Sequence, residues 1–188
     1  MTLRIIGGLF GGRFLKTPKG PQTRPTTSLL RQALFNICQD FIAHARILDL
    51  FAGSGAIGFE AISRGASFVT FVERDKRAAA CIRENAVFLQ VEPQVQILSM
   101  DASLALSRLL SPYDFIYIDP PYDLKVEPLI ALIVERKLLA PRGLLFLEER
   151  YKPKAPPPAY PGLDLIESRR YGIAHLHQFR LPILDVTI

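Results

Sequence analysis

Four short apolar runs, residues 47–51, 68–72, 95–100 and 115–118, recur at intervals too long for a hairpin turn and long enough for a helix between them. Continuous apolar strands joined by helix-length connections pair in parallel and bury both faces under helices. Each run also closes on glycine or an acid. The first is followed by Ala52-Gly53-Ser54-Gly55, the second by Glu73, the third by Asp101 and the fourth by Asp119. Ligands of open α/β sheets bind outside the carboxyl ends of the strands, so these four endings are expected to meet in one crevice.

The fourth ending is Asp119-Pro120-Pro121-Tyr122. Two consecutive prolines fix φ and remove two N–H donors, so the chain leaves the strand rigid, with its carbonyls free to accept. A planar base with an exocyclic amine could stack on Tyr122 and donate to Asp119 and the Pro120 carbonyl. Upstream, Gly53, Gly55 and Gly58 form a G-x-G-x-x-G turn that opens a helix. Glu73, about twenty residues beyond those glycines, is placed to accept the ribose hydroxyls of a nucleoside, and Asp101 to meet an adenine amino group. Gly53, Ser54 and Gly55 would then approach the rest of an adenosine-containing cofactor. Asp49 either reaches a cofactor ammonium through water or shapes the turn. Asn85 and Glu60 receive no role.

Residues 49–58 with Glu73, Asp101 and residues 119–122 resemble the class I S-adenosylmethionine-dependent methyltransferases that act on exocyclic amines. The N-terminal series Arg4-Ile5-Ile6-Gly7-Gly8, Gly12-Arg13, Thr23-Arg24-Pro25-Thr26-Thr27, Arg31 and Ala33-Leu34-Phe35-Asn36, with Glu60-Ala61 and Ser63-Arg64-Gly65-Ala66, resembles the RsmD family of 16S rRNA guanine-N2 methyltransferases. The likeness covers nearly the whole chain and departs from the family at the proline-rich residues 152–161. It implies a Rossmann-like class I methyltransferase fold, with a seven-stranded mostly parallel sheet, helices on both faces and a small N-terminal hairpin and helix extension. It implies S-adenosylmethionine as cofactor, Asp119, Pro120 and Tyr122 as catalytic residues, and Asp49, Gly53, Ser54, Gly55, Glu73 and Asp101 as cofactor-binding residues. The implied partner is 16S rRNA within the assembled or assembling small ribosomal subunit, met by a monomer.

The net charge of +5 favours a polyanionic partner through phosphate contacts. Residues 1–43 read as an RNA-binding hairpin and helix, in which Arg4, Arg13, Arg24 and Arg31 follow a phosphate backbone, and residues 44–188 as the catalytic domain. Arg24, before Pro25 and a helix cap, has a competing structural reading. The helix of the extension is expected to run from a cap at Thr26 or Thr27 to about Phe41. A strand is expected over residues 143–148, and two last strands, 163–171 and 175–181, should pair antiparallel for want of a helix between them. No apolar stretch would span a bilayer and no secretory segment opens the chain, so a cytoplasmic location is expected. Cys38 and Cys81 read as core residues, and His44, His175 and His177 as surface or RNA-facing groups without metal-ligand spacing. Two other classes share parts of this pattern. A dinucleotide-dependent oxidoreductase would use the glycine turn and Glu73 but has no use for residues 119–122; a non-catalytic RNA-binding assembly factor would have no need of Asp119 and Tyr122. Methylation of an adenine N6 amine suits the same geometry.

Overall fold

The computed structural model describes residues 3–18, 28–121 and 123–183. A short antiparallel hairpin, β1 (Leu3–Arg4) and β2 (Phe14–Leu15), and helix α1 (Ser28–Ile37) precede the alternating body. The body runs β3 (Arg46–Leu50), α2 (Ala56–Ser63), β4 (Phe68–Val72), α3 (Lys76–Leu89), β5 (Val95–Leu98), α4 (Ala102–Arg108), β6 (Tyr113–Ile118), α5 (Glu127–Glu135), β7 (Leu139–Arg150), β8 (Asp164–Tyr171) and β9 (Ala174–Arg180). The strands form one seven-stranded sheet in the order β5-β4-β3-β6-β7-β9-β8, parallel from β5 to β7. Strands β8 and β9 close it as an antiparallel hairpin. This is the mostly parallel α/β architecture expected, and its chain order reverses between β3 and β6, where an α/β sheet opens a crevice.

Alternation along the strands divides the core between the two faces. Ile47, Phe71, Phe115, Tyr117 and Phe146 pack on one side with α1, α2 and the N-terminal hairpin, whose Leu3, Ile5 and Leu15 are part of the same core. Leu48, Leu50, Ile116, Ile118, Leu145 and Leu147 pack on the other with α4 and α5. Asp75 caps α3 by accepting the Arg77 N–H at 2.7 Å.

Two boundaries differ from the sequence expectation. Helix α1 stops at Ile37, and residues 38–41 form a turn in which Phe41 and Ile42 both donate to the Cys38 carbonyl, at 2.8 and 3.1 Å. Strand β7 begins at Leu139, ahead of the expected 143, and carries Pro141 where the register with β6 shifts between Tyr113 and Phe115. A proline is tolerated in a strand at such an irregularity, because no ladder bond needs its missing N–H.

A buried carboxylate gathers the main polar ties between the hairpin and α2. Glu60 on α2, with no exposed surface, accepts the backbone N–H groups of Ile6 at 2.7 Å and Gly7 at 2.9 Å, and Arg64 Nε at 2.9 Å. Arg31, 3% exposed, lies 3.8 Å from the same carboxylate and donates to the Arg4 carbonyl at 2.6 Å. One turn along, Ser63 Oγ accepts the Phe10 N–H and donates to the Gly7 carbonyl. A side chain on Gly8, at φ 75°, would strike the Ser63 carbonyl at 1.9 Å. Arg31 is therefore an internal residue. The expectation that it grips RNA is corrected: a guanidinium this buried satisfies the hairpin and Glu60, and has no surface to offer a phosphate.

Replacing Glu60 by alanine removes the countercharge from the buried Arg31 guanidinium and the acceptor from the Ile6 and Gly7 N–H groups. Loss of one partner from such a buried pair costs about 3–5 kcal/mol. At roughly 2–4 °C per kcal/mol for a chain of this size, thermal denaturation of Glu60→Ala should show a fall on the order of 10 °C. A change of a degree or two would mean that the carboxylate does not anchor the hairpin.

Candidate functional site

Each of β3, β4, β5 and β6 delivers its candidate residues to the carboxyl edge of the sheet. After β3 the chain turns through Phe51, a non-glycine residue at φ 63°, and Gly53, Gly55 then adopt φ 55° and 82°. The turn closes through Gly55 N–H to the Ala52 carbonyl at 2.7 Å and is tied to β4 by Ala52 N–H to the Val72 carbonyl at 3.0 Å. A phenylalanine in left-handed backbone is uncommon and gathers at functional turns; nothing in the sequence pattern singled out Phe51. Gly58 lets α2 approach the sheet, since a Cβ there would lie 2.2 Å from the Phe71 ring.

Asp49 is 2% exposed and accepts the Gly58 N–H at 3.1 Å, so it does shape the turn. Burial pushes its carboxyl up to about 7; the Gly58 hydrogen bond works against this and the Glu73 charge adds to it. Glu73, half-buried past the end of β4, is oriented from both sides: one oxygen accepts the Gly53 N–H at 2.8 Å and the other the Asp75 N–H at 2.7 Å. Asp101 is exposed beyond β5 and caps α4 through the Ser103 N–H at 2.8 Å. Asp119 is half-buried directly after β6, Pro120 is buried, and the Pro121 carbonyl accepts the Leu124 N–H at 2.9 Å as the chain turns away. Tyr122 lies outside the described residues, as does Arg24. The structure thus brings Asp49, Gly53, Ser54, Gly55 and Glu73 into one connected group, with Asp101 and Asp119 at the flanking strand ends.

Two observations fit an adenosine cofactor to this edge. A Cβ built on Gly53 meets no protein atom within 4 Å, so the loop faces open space that a side chain would fill. Glu73 is held with a lone pair remaining on each oxygen, the donor-free end that vicinal hydroxyls require. Gly53, Ser54, Gly55, Glu73 and Asp101 are therefore the residues able to hold such a group.

Sequence reasoning left Asn85 unassigned, and the structure gives it a place. Fully buried on α3, it accepts the Lys16 N–H at 2.8 Å through Oδ1 and donates through Nδ2 to the carbonyls of Lys16, at 3.0 Å, and Ser54, at 3.3 Å. A single amide therefore ties the exit of the hairpin to the glycine turn. Its legible signal was a polar residue on the face of α3 that also carries Ile82, Ala86 and Leu89.

Arg4 and Arg13 are exposed on the hairpin, with the Arg13 guanidinium 5.0 Å from the Phe10 ring centre. His175 and His177 share a strand face, their rings 4.4 Å apart, but the expectation of a surface pair holds only in part. His177 is 3% exposed, with Ser168 Oγ 2.8 Å from Nδ1 and Glu149 3.5 Å from Nε2. Burial pushes its imidazole down to about 4, with His175 adding to the shift, so it is a neutral core residue. Among the described residues no helix is long and apolar enough to cross a membrane.

The family described as Conserved hypothetical protein 95 matches residues 3–180. The chain is similar to Ribosomal RNA small subunit methyltransferase D of Haemophilus influenzae, at 36% identity over 91% of this chain and 90% of that one. Among solved structures, yhhF from Escherichia coli superposes with a TM-score of 0.87 at 30% identity, covering 98% of this chain and 100% of that chain. The fold is also that of the SAH-bound methyltransferase PaMTH1 from Podospora anserina, with a TM-score of 0.68 at 16% identity over 84% of this chain and 80% of that chain. With the sheet order, the crevice and these likenesses together, the chain belongs to the RsmD family of methyltransferases.

Proposed function

We propose that this protein transfers a methyl group from S-adenosylmethionine to the exocyclic N2 amine of a guanine in 16S rRNA, met within the assembled or assembling small ribosomal subunit. The observation that carries the reading is the connected crevice in which Glu73 binds the Gly53 N–H at 2.8 Å while Asp119-Pro120 ends the neighbouring strand but one. The relative's name supplies the substrate class, small-subunit ribosomal RNA. On this reading residues 1–43 serve RNA binding, with Arg4, Arg13 and Arg24 as phosphate contacts, and residues 44–188 carry the chemistry.

Bound adenosylmethionine supplies an electrophilic sulfonium methyl. Everything else falls to the chain. The N2 amine is a poor nucleophile because its lone pair is delocalised into the purine ring. Asp119 and the Pro120 carbonyl accept its two hydrogens, which draws the nitrogen toward a tetrahedral geometry and aims its lone pair. Asp119 also takes the proton that the product amine releases, which an amide in its place could not do. Tyr122 stacks on the extruded base, an interaction worth about 1–3 kcal/mol. Glu73 would accept the ribose hydroxyls and Asp101 the adenine amine, while Asp49, buried and bonded to the Gly58 N–H, shapes the turn that meets the cofactor.

Asp119 and Glu73 should fail in opposite ways. Asp119→Ala should lower single-turnover methyl transfer by roughly 100-fold or more, with calorimetric affinity for adenosylmethionine nearly unchanged. Glu73→Ala should weaken that affinity by about 1.5–3 kcal/mol through loss of a charged acceptor. Normal chemistry in the first variant, or normal affinity in the second, removes the corresponding role.

Asp49 should leave a mark on the pH dependence of stability. Its folded value of about 7 lies above the ordinary 3.8, so the native state holds the extra proton between these values. The stabilising contribution is complete below the lower value and is lost as pH rises through the upper one. Asp49→Asn stays neutral and keeps an acceptor for Gly58. Its melting temperature, relative to the parent, should rise by on the order of 5 °C from pH 5 to pH 8, and a constant difference would contradict the assigned burial.

Removing the charges of Arg4, Arg13 and Arg24 together should flatten the salt dependence of binding to small-subunit particles by up to about one unit of slope per lost phosphate contact. Adenosylmethionine affinity should hardly change. An unchanged slope takes the hairpin off the RNA-binding surface.

A further inference from the structure

One carboxylate at the crevice has no part in the chemistry above. Strands β6 and β7 pair in parallel with Tyr117 opposite Phe146 and Ile118 opposite Leu147, so the next positions along both strands are Asp119 and Glu148. Parallel neighbours in register point to the same face, and adjacent strands lie about 4.8 Å apart. The face is the one on which Phe115, Tyr117, Phe146 and Leu176 form the core, with Leu176 opposite Glu148 on β9. Glu148 therefore stands beside Asp119 at the sheet edge, and it is half-buried.

Its environment is unusual for a glutamate. The buried Tyr117 hydroxyl donates to Glu148 Oε2, and among the described residues no other hydrogen bond or ion pair reaches the carboxylate. Burial raises its proton affinity, and the tyrosine hydrogen bond opposes that rise. A half-buried carboxylate anchored through one oxygen has acceptor capacity left on the other. Glu148 is not required to satisfy Tyr117 in particular, since any acceptor would serve that hydroxyl.

We infer that Glu148 determines base specificity, accepting the N1–H of guanine with its free oxygen while the neighbouring Asp119 engages the N2 amine. The inference rests on the proposed guanine-N2 reaction and deepens it. Guanine presents N1–H and N2–H2 as adjacent donors on one edge, a pattern that two carboxylates about one strand spacing apart accept together. Adenine presents a lone pair at N1, which an ionised carboxylate repels. Glu148 is thus placed to separate an aminopurine bearing N1–H from one lacking it. Tyr117 acts as a positioning residue: its hydroxyl holds Oε2, fixes the carboxylate plane and offsets part of the rise in proton affinity that burial causes.

The test compares substrates that both carry the N2 amine. Small-subunit particles are reconstituted with 16S rRNA bearing either guanine or 2-aminopurine, which lacks the N1 proton, at the position methylated by the parent protein. The parent should favour guanine by about 10- to 100-fold, the range expected for one well-made base-edge contact. Glu148→Gln, whose amide can donate to an N1 lone pair, should lower that ratio at least tenfold. Tyr117→Phe, which frees the carboxylate from its anchor, should lower it several-fold. Calorimetric affinity for adenosylmethionine should stay within about twofold in both, a result that separates base reading from general damage. An unchanged guanine preference in whichever variant remains folded overturns the assignment. Absence of methyl transfer to the guanine particles by the parent protein would overturn the methylation reading and this inference with it.

Discussion

Helix α2 can lie on the sheet only because residue 58 has no side chain: any Cβ there would occupy the space of the Phe71 ring and of Val69. That close approach has consequences at both ends of the helix. At its start the Gly58 N–H reaches the buried Asp49 and holds the turn after β3 against the edge where Glu73 receives the Gly53 N–H. Toward its finish, Glu60 and Ser63 are set facing the N-terminal hairpin and capture its backbone N–H groups. A helix standing an ångström or two further out would lose both sets of bonds at once. Close packing is worth more here than the area it buries, because it sets the register between the glycine turn and the extension.

Much of the scaffold could be read from the chain, and the reasons are physical. Runs such as 115–118, apolar at every position, are what strands covered on both faces require, and the glycines at 53, 55 and 58 announce a tight turn with left-handed backbone running into a helix packed close on the sheet. The strand ends at Glu73, Asp101 and Asp119 followed directly, since a parallel sheet has one carboxyl edge. Pairwise burial was not legible. Arg31 reads as one more basic residue of a basic extension, and only the fold shows that Glu60 and the Arg4 carbonyl enclose it. His177 alternates with His175 on a strand that could have been an edge; β8 pairs outside it and turns it into an interior position. The end of α1 at Ile37 and the early start of β7 at Leu139 are likewise tertiary outcomes, decided by a turn around Cys38 and an irregularity at Pro141.

The crevice concentrates negative charge in a protein whose overall charge is positive. Asp49, Glu73, Asp101, Asp119 and Glu148 all sit at or beside the carboxyl edge of the sheet, while the exposed Arg4 and Arg13 belong to the hairpin. Exposed Arg74, Lys76 and Arg77 follow β4 at the same edge, so the acids lie within a rim that also carries cations, an arrangement that on the proposed reading suits a cationic sulfonium and a neutral base carried on a polyanion. On the proposed reading, acidic groups at the edge would receive the cation and the base donors, and the hairpin cations the phosphates. A uniformly basic surface would attract RNA equally well but would repel the cofactor.

The amide of Asn85 stands in for a strand. It offers Lys16 both the donor and the acceptor that a neighbouring backbone would provide, and has capacity left for the Ser54 carbonyl. Only a carboxamide does this, which makes position 85 chemically narrow in a helix face that is otherwise apolar. Deamidation exchanges a single NH2 for oxygen. At this fully buried site it would turn a shared donor into a charge facing two carbonyls, so slow chemical ageing of one asparagine is a route by which hairpin and glycine turn could come apart without any change in the gene.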